Sequence, residues 1–215
     1  MKLKVNEIFK TIQGEGRHQG TPVTFIRLSG CTRECKMCDS KYHTVGRNFT
    51  VKQMVEEINA LPQHSTVVWT GGEPLLQYEA IKEVICKTTG YPNFTKHHLE
   101  SNGDTVKTEE DMYALYEFQY VCISPKDLKT AKRIAKLRSN DIGQDRIIDD
   151  IKVVTDLKKL GTKTVQYATM LMPLTTYDEE RDQQIRRAVW EYCANFNLIY
   201  SGRMHISVWG KKMKV

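Results

Sequence analysis

The chain has 215 residues, 40% of them apolar, which is enough for one substantial domain with a real core, short for two, and unlike a disordered tail. With 32 basic residues against 26 acidic ones the formal charge is +6, a mild excess that suits an anionic small molecule or weak contact with nucleic acid and establishes neither. No apolar run approaches membrane-spanning length and charged residues break the opening MKLKVNEIF, so neither a membrane span nor a signal peptide is read, and the expected setting is cytoplasmic, where thiols stay reduced.

No repeat, low-complexity segment or linker divides the chain, so one domain is expected over 1–215. In chain order, residues 23–28 (VTFIRL) read as a strand. Thr50 with Gln53 three places on forms a capping box, and Val51, Met54, Val55, Ile58 and Leu61 follow at helical spacing until Pro62. Residues 66–70 (TVVWT) make the next strand, and Ala80, Ile81, Val84 and Ile85 a second helix face. A short strand is expected at 97–100, then a helix from Thr108 that turns Met112, Leu115 and Tyr116 inward. Strands follow at 120–123, 151–154 and 166–171. A long helix carries Ile185, Val189, Tyr192, Cys193 and Phe196 on one face, and 205–209 reads as a last strand. This alternation argues a parallel α/β sheet. The chain is short for eight units, so the expected fold is a partial, open TIM-like barrel of about six parallel strands with outer helices.

Polar motifs fall at successive strand ends: the cysteines after the first, Gly71-Gly72-Glu73-Pro74 after the second, Ser101-Asn102-Gly103 after the third, Ser124-Pro125-Lys126 after the fourth. Chemistry in α/β barrels gathers at the C-terminal ends of strands, so four such endings point to one shared site. Cys31, Cys35 and Cys38 lie on one short loop after Gly30. Three thiolates on a [4Fe–4S] cube leave one iron open, as catalysis requires. A zinc site with His43 is the alternative, although no second ligand pair is visible. Cys86, Cys122 and Cys193 fall on apolar faces and read as small buried hydrophobes. Gly71 and Gly72 let backbone approach a ligand closely; an ordinary strand-to-helix turn is the alternative, and the position after a buried strand favours the ligand. Arg27 interrupts an apolar strand, so its guanidinium needs a partner, either a substrate carboxylate or an internal carboxylate such as Glu15. The basic stretch from Lys126 to Arg138 reads as a solvated helix face, since no aromatic residues interleave with the charges.

CxxxCxxC followed by GGEP resembles the signature of the radical S-adenosylmethionine (SAM) superfamily. Glu7-Ile8-Phe9, Thr11-Ile12-Gln13-Gly14-Glu15-Gly16, Phe25 to Cys31, Cys38 to Tyr42, Leu99 to Gly103, Ser124-Pro125-Lys126, Leu171-Met172-Pro173 and Arg203 to Gly210 narrow the likeness to the 7-carboxy-7-deazaguanine synthases. Met37 stands where that superfamily usually has an aromatic residue, and Lys211 to Val215 is Lys-rich where the family more often carries Arg-Gly.

The resemblance implies a [4Fe–4S] cluster on Cys31, Cys35 and Cys38, with SAM and Mg²⁺ as further cofactors. It assigns Gly71, Gly72, Glu73, Ser101, Asn102, Ser124 and Lys126 to SAM, with Glu73 on its ammonium, and Ser40 to Mg²⁺. It assigns Gln13, Glu15, Arg27 and His205 to a 6-carboxytetrahydropterin substrate. The extension over 1–22 and a C-terminal strand over 203–210 would complete that pocket. The implied reaction is ring contraction to 7-carboxy-7-deazaguanine with loss of ammonia. The implied partners are an electron donor such as flavodoxin and a second copy in a homodimer, with no direct nucleic-acid contact. A glycyl-radical activase shares the cysteine spacing but needs neither QGEG nor HISVWG. A cluster- or zinc-bearing interaction protein would not need GGEP.

Overall fold

The computed structural model describes residues 1–35, 38, 44–90, 94–141 and 147–211. Among these, nine strands form one open sheet: β1 (Lys2–Ile12), β2 (Pro22–Leu28), β3 (Arg47–Thr50), β4 (Thr66–Gly71), β5 (Lys96–Ser101), β6 (Tyr120–Ile123), β7 (Asp150–Thr155), β8 (Met170–Pro173) and β9 (Ile199–Tyr200). Their order is β3-β1-β2-β4-β5-β6-β7-β8-β9. From β2 to β9 every pairing is parallel, while β1 is antiparallel to both its neighbours. The sheet does not close, as a partial barrel requires.

The helices are α1 (Val51–Asn59), α2 (Tyr78–Thr88), α3 (Glu109–Tyr113), α4 (Leu128–Asn140), α5 (Glu179–Phe196) and α6 (Met204–Trp209). Thr50 caps α1 as its sequence requires: its Oγ1 accepts from the Gln53 N–H, and Gln53 Oε1 accepts from the Thr50 N–H. The outer face of the sheet meets these helices through two apolar clusters. Ile26, Trp69, Leu99, Val121 and Ile151 pack with Met54, Ile81 and Ile134, and Val153 and Leu171 pack with Ile185, Val189 and Cys193. Strand side chains alternate, so His98, Glu100, Tyr120, Cys122, Asp150 and Lys152 turn to the opposite, concave face.

Several expectations are corrected. Residues 205–209 are not a strand. The place beside β8 is taken by Ile199–Tyr200, and the chain then crosses to the N-terminal loop, where Met204 N–H donates to Gly14 O. It coils there into α6, which ends at Gly210 with φ +60°. The sixth strand starts later than 166, because Thr164, Tyr167 and Ala168 bond back three residues in tight turns; pairing begins with Met170 opposite Lys152. Tyr116 faces outward, 58% exposed: α3 gives way at Ala114 to a 3₁₀ turn, whose tighter winding keeps Leu115 in and swings Tyr116 out against Tyr113. Phe196 lies on the surface beside Tyr192, and Cys86 is exposed while Cys122 and Cys193 are buried. The basic stretch is only partly solvated, since Arg133 and Arg138 tie α4 to backbone carbonyls of neighbouring loops. β1 and β3 have no counterpart among the expected strands.

Candidate active site

Parallel strands carry their ends to one rim, and the motifs meet there. A Cβ on Gly71 (φ +128°) would lie 2.3 Å from Leu28 O, and one on Gly72 would lie 1.7 Å from Gly30 O. The two glycines therefore let the turn after β4 lie directly on the start of the cysteine loop. Gly72 N–H donates to Leu28 O at 3.1 Å and Glu73 N–H to Gly30 O at 2.8 Å. Glu73 itself is 0% exposed. Its carboxylate accepts from Ser101 Oγ (2.8 Å), Leu75 N–H (3.1 Å) and Asn102 N–H (2.8 Å), while burial raises its pKa. In this arrangement Glu73 is a hub joining two strand ends, and its carboxylate is enclosed rather than presented to a ligand.

Asn102 projects its amide back to the cysteine loop, 3.0 Å from Thr32 Oγ1 and 3.9 Å from Cys31 Sγ. Ser124 N–H donates to Ser101 O at 2.7 Å, and Lys126 Nζ donates to Ser124 Oγ at 3.0 Å. Lys126 opens to solvent, yet the protein around its ammonium desolvates it and lowers its pKa.

Cys31, Cys35 and Cys38 are half-buried thiols outside any disulfide. Cys38 N–H donates to Cys35 O at 3.2 Å. Burial raises the pKa of Cys31, with Glu73, Cys35 and Cys38 adding to it, so the three sulfurs lie within electrostatic reach of one another. Among the described residues no three His, Cys, Asp or Glu side chains already stand together as a metal cage. The fit to a cluster lies instead in the donor set: three thiols on one loop, with Cys31 seated against Gly72 and the Asn102 amide. Met37, Ser40 and His43 fall outside the described residues.

The N-terminal loop after β1 enters the concave side. Gln13 is buried and donates through Nε2 to Glu100 Oε1 at 3.1 Å, while its Oε1 accepts from Glu15 N–H at 3.2 Å. Glu15 pairs with Lys152 at 2.8 Å and Arg203 at 3.0 Å. Burial would raise its pKa, but these two cations hold it well below the ordinary carboxylate range. Lys152 is pushed up in turn: Glu15 and Glu100 outweigh the desolvation that favours its neutral form. His205 packs on Gly14, where a Cβ would meet its ring at 2.3 Å. Arg27 is ion-paired, through Nε, to Glu7 Oε1 at 2.7 Å and not to Glu15.

Lys152 and Arg203 were not singled out from the sequence. Lys152 carried the same signal as Arg27, a cation inside an apolar strand (Ile151-Lys152-Val153-Val154). Arg203 opens the Arg203 to Gly210 stretch that carries the resemblance, in which only His205 had an assigned role. Arg33, between two of the cysteines, is not among the expected site residues, yet it pairs with Asp104 and Asp127.

The sequence profile of the Radical SAM superfamily matches residues 25–188. A 7-carboxy-7-deazaguanine synthase of Methanothermobacter thermautotrophicus is 33% identical over 81% of this chain and 71% of its own. One from Hyperthermus butylicus is 29% identical over 96% and 92%. The crystal structure of QueE from Escherichia coli superposes with a TM-score of 0.57 over 95% of both chains at 19% identity, a likeness of fold. With cysteine loop, glycine turn and strand-end motifs on one rim of an open barrel, the chain belongs to the radical SAM superfamily and, within it, to the 7-carboxy-7-deazaguanine synthase family.

Proposed function

We propose that this chain converts 6-carboxy-5,6,7,8-tetrahydropterin to 7-carboxy-7-deazaguanine by radical ring contraction with loss of ammonia, in deazapurine (queuosine-type) biosynthesis. The observation that carries the substrate assignment is Glu15, a carboxylate kept ionised on the concave side by Lys152 and Arg203. An ionised carboxylate accepts hydrogen bonds and donates none. Its match is an edge with adjacent N–H groups, such as the aminopyrimidinone edge of a pterin. Gln13, braced by Glu100, reads the same edge, and His205, seated on Gly14, borders it. Arg27 grips the substrate carboxylate: Glu7 orients its Nε, and a guanidinium fork suits a second carboxylate.

Cys31, Cys35 and Cys38 would hold a [4Fe–4S] cluster, which together with SAM would supply the radical chemistry. The chain supplies position. Gly71 and Gly72 bring backbone close to the cofactor, and Glu73 locks them in place. Ser101, Asn102 and Ser124 contribute polar contacts to ribose, and Lys126 a cation for the methionine carboxylate. Holding both molecules in one concavity replaces a chance encounter by a fixed geometry. Ser40 offers a hydroxyl to Mg²⁺, which keeps its remaining positions for water and substrate oxygens. A homodimer, a flavodoxin-type electron donor and a cytoplasmic setting complete the reading, with no direct nucleic-acid partner.

The test is anaerobic incubation of the reduced, reconstituted protein with SAM, Mg²⁺ and 6-carboxytetrahydropterin, followed by a search for 7-carboxy-7-deazaguanine by mass. Product is the expected result. Deoxyadenosine without deazapurine would keep the radical chemistry and reject the substrate. Neither species, from protein with a full cluster, would reject both.

A further inference from the structure

We propose that Arg33, inside the first span of the cysteine motif, is a positioning residue that anchors Cys31 and Cys35 for cluster binding by gripping Asp104. The inference rests on the cluster assignment above and adds a residue to it.

Arg33 sits in Cys31-Thr32-Arg33-Glu34-Cys35. Its guanidinium forks onto one carboxylate, with Nε to Asp104 Oδ2 at 2.6 Å and Nη2 to Asp104 Oδ1 at 2.5 Å. The same Nη2 reaches the carboxylate of Asp127. Thr32 strengthens the grip, with its Oγ1 donating to Asp104 Oδ2 at 2.7 Å. Two consecutive side chains of the cysteine loop thus hold a single aspartate.

That aspartate stands on a rigid base. Its N–H donates to Asn102 Oδ1 at 2.9 Å. Arg133 of α4 fixes the flanking carbonyls of Gly103 at 3.0 Å and Val106 at 2.9 Å. Asp127 is equally fixed as the N-cap of α4, accepting from Thr130 N–H at 2.7 Å. Asp104 and Asp127 both contact the one guanidinium, whose charge offsets the repulsion between the two carboxylates. Arg33 therefore joins three elements: the cysteine loop after β2, the loop after β5 and the start of α4.

A loop that must order itself around a metal loses affinity to that ordering, whereas a loop already tethered does not. Groups behind a metal's direct ligands are typically worth 10–100-fold in metal affinity. Bidentate geometry also separates this role from simple charge, since lysine keeps the charge and loses the fork.

The test compares wild type with Arg33→Gln, Arg33→Lys, Asp104→Asn and the double variant Arg33→Gln/Asp104→Asn, with Glu34→Gln as a control in the same loop. Each protein is reconstituted anaerobically, and iron per chain and the rate of iron loss to a chelator are measured. Thermal unfolding of each metal-free protein is followed in parallel. Iron loss is expected to rise about 10–100-fold in Arg33→Gln and in Asp104→Asn, by less in Arg33→Lys, and no further in the double variant. Glu34→Gln should behave as wild type, and metal-free folding should change little. Iron retention in Arg33→Gln equal to that of wild type would overturn the anchor alone. So would faster loss that merely follows a collapse of the metal-free fold. Wild-type protein that takes up no iron would overturn the cluster assignment, and the anchor with it.

Discussion

Lys152 Nζ donates to Glu15 Oε2 at 2.8 Å across 137 positions of sequence, so a cation from β7 fixes a carboxylate from the N-terminal loop. The pKa of Glu15 is depressed, so its contribution to stability is fully present above its ordinary value of 4.5 and fades as pH falls toward the lower folded value. The pKa of Lys152 is raised, so its contribution is present below 10.5 and fades only as pH rises through its higher folded value. Removing one partner of a buried pair costs about 3–5 kcal/mol; Arg203 remains, so Lys152→Met should fall toward the lower end at pH 7. The difference from wild type should shrink at pH 3. Denaturant unfolding at the two pH values checks this, and an equal difference at both would reject it.

A second expectation concerns His97, which is fully buried. Trp69 Nε1–H donates to its Nδ1 at 3.0 Å, so Nε2 carries the proton and donates to Thr88 Oγ1 at 2.9 Å; Thr88 passes its own proton to Val84 O. Burial pushes the His97 pKa down to about 3. A histidine kept neutral stabilises the fold fully above its ordinary 6.5, and that stability drains away as pH falls toward 3. Thr88→Val keeps the shape and strands the His97 N–H, which should cost about 1–3 kcal/mol. Chemical denaturation at pH 7.5 measures it.

Gly72→Ala tests the seam between the turn after β4 and the cysteine loop. The new methyl would overlap Gly30 O and C at 1.7 and 2.5 Å, both backbone atoms that cannot swing aside. The Glu73 N–H to Gly30 O bond should break and the cysteine loop should shift. We expect a folded protein that reconstitutes with less than about a tenth of the wild-type iron, in line with the 10–100-fold worth of such supporting contacts. Iron analysis after gel filtration decides it; full iron content would mean the seam yields without moving the thiols.

Glu73→Gln examines the buried hub. Three donors converge on this carboxylate, and a glutamine has only one acceptor oxygen. Its NH₂ must face either the Asn102 N–H or the Ser101 and Leu75 side. The mismatch should cost about 1–3 kcal/mol of stability and weaken SAM binding by loosening the Ser101–Asn102 turn. Calorimetry of SAM binding beside a denaturation curve separates the two effects, and unchanged values in both would show that the hub tolerates a donor.

What the sequence made legible follows a physical divide. The parallel strands and their outer helices announce themselves because each buries a local apolar pattern, as in the 23–28 and 66–70 runs. β1 is equally readable, since Leu3 and Val5 alternate with exposed residues, although its lysines interrupt the apolar run. β3 is not, with Phe49 its single buried side chain. The HISVW run alternates like a strand and coils all the same, since the place beside β8 is taken by Ile199–Tyr200. The rim motifs were visible as motifs. The partners of Glu15 and Arg33 were not, because an ion pair between distant segments leaves no periodicity in either.

The contact of Arg203 with Glu15 spans 188 positions, and beside it Met204 and His205 seat on Gly14. A ribosome making this protein therefore releases the first half of the pocket long before the second. Lys152 emerges first and can neutralise Glu15 while the barrel grows; Arg203 and His205 arrive only after β1 to β9 have been synthesised. Until then the chain would carry its nine strands and an unfinished pocket, so the ion pair of Glu15 with Arg203 should form only after the sheet.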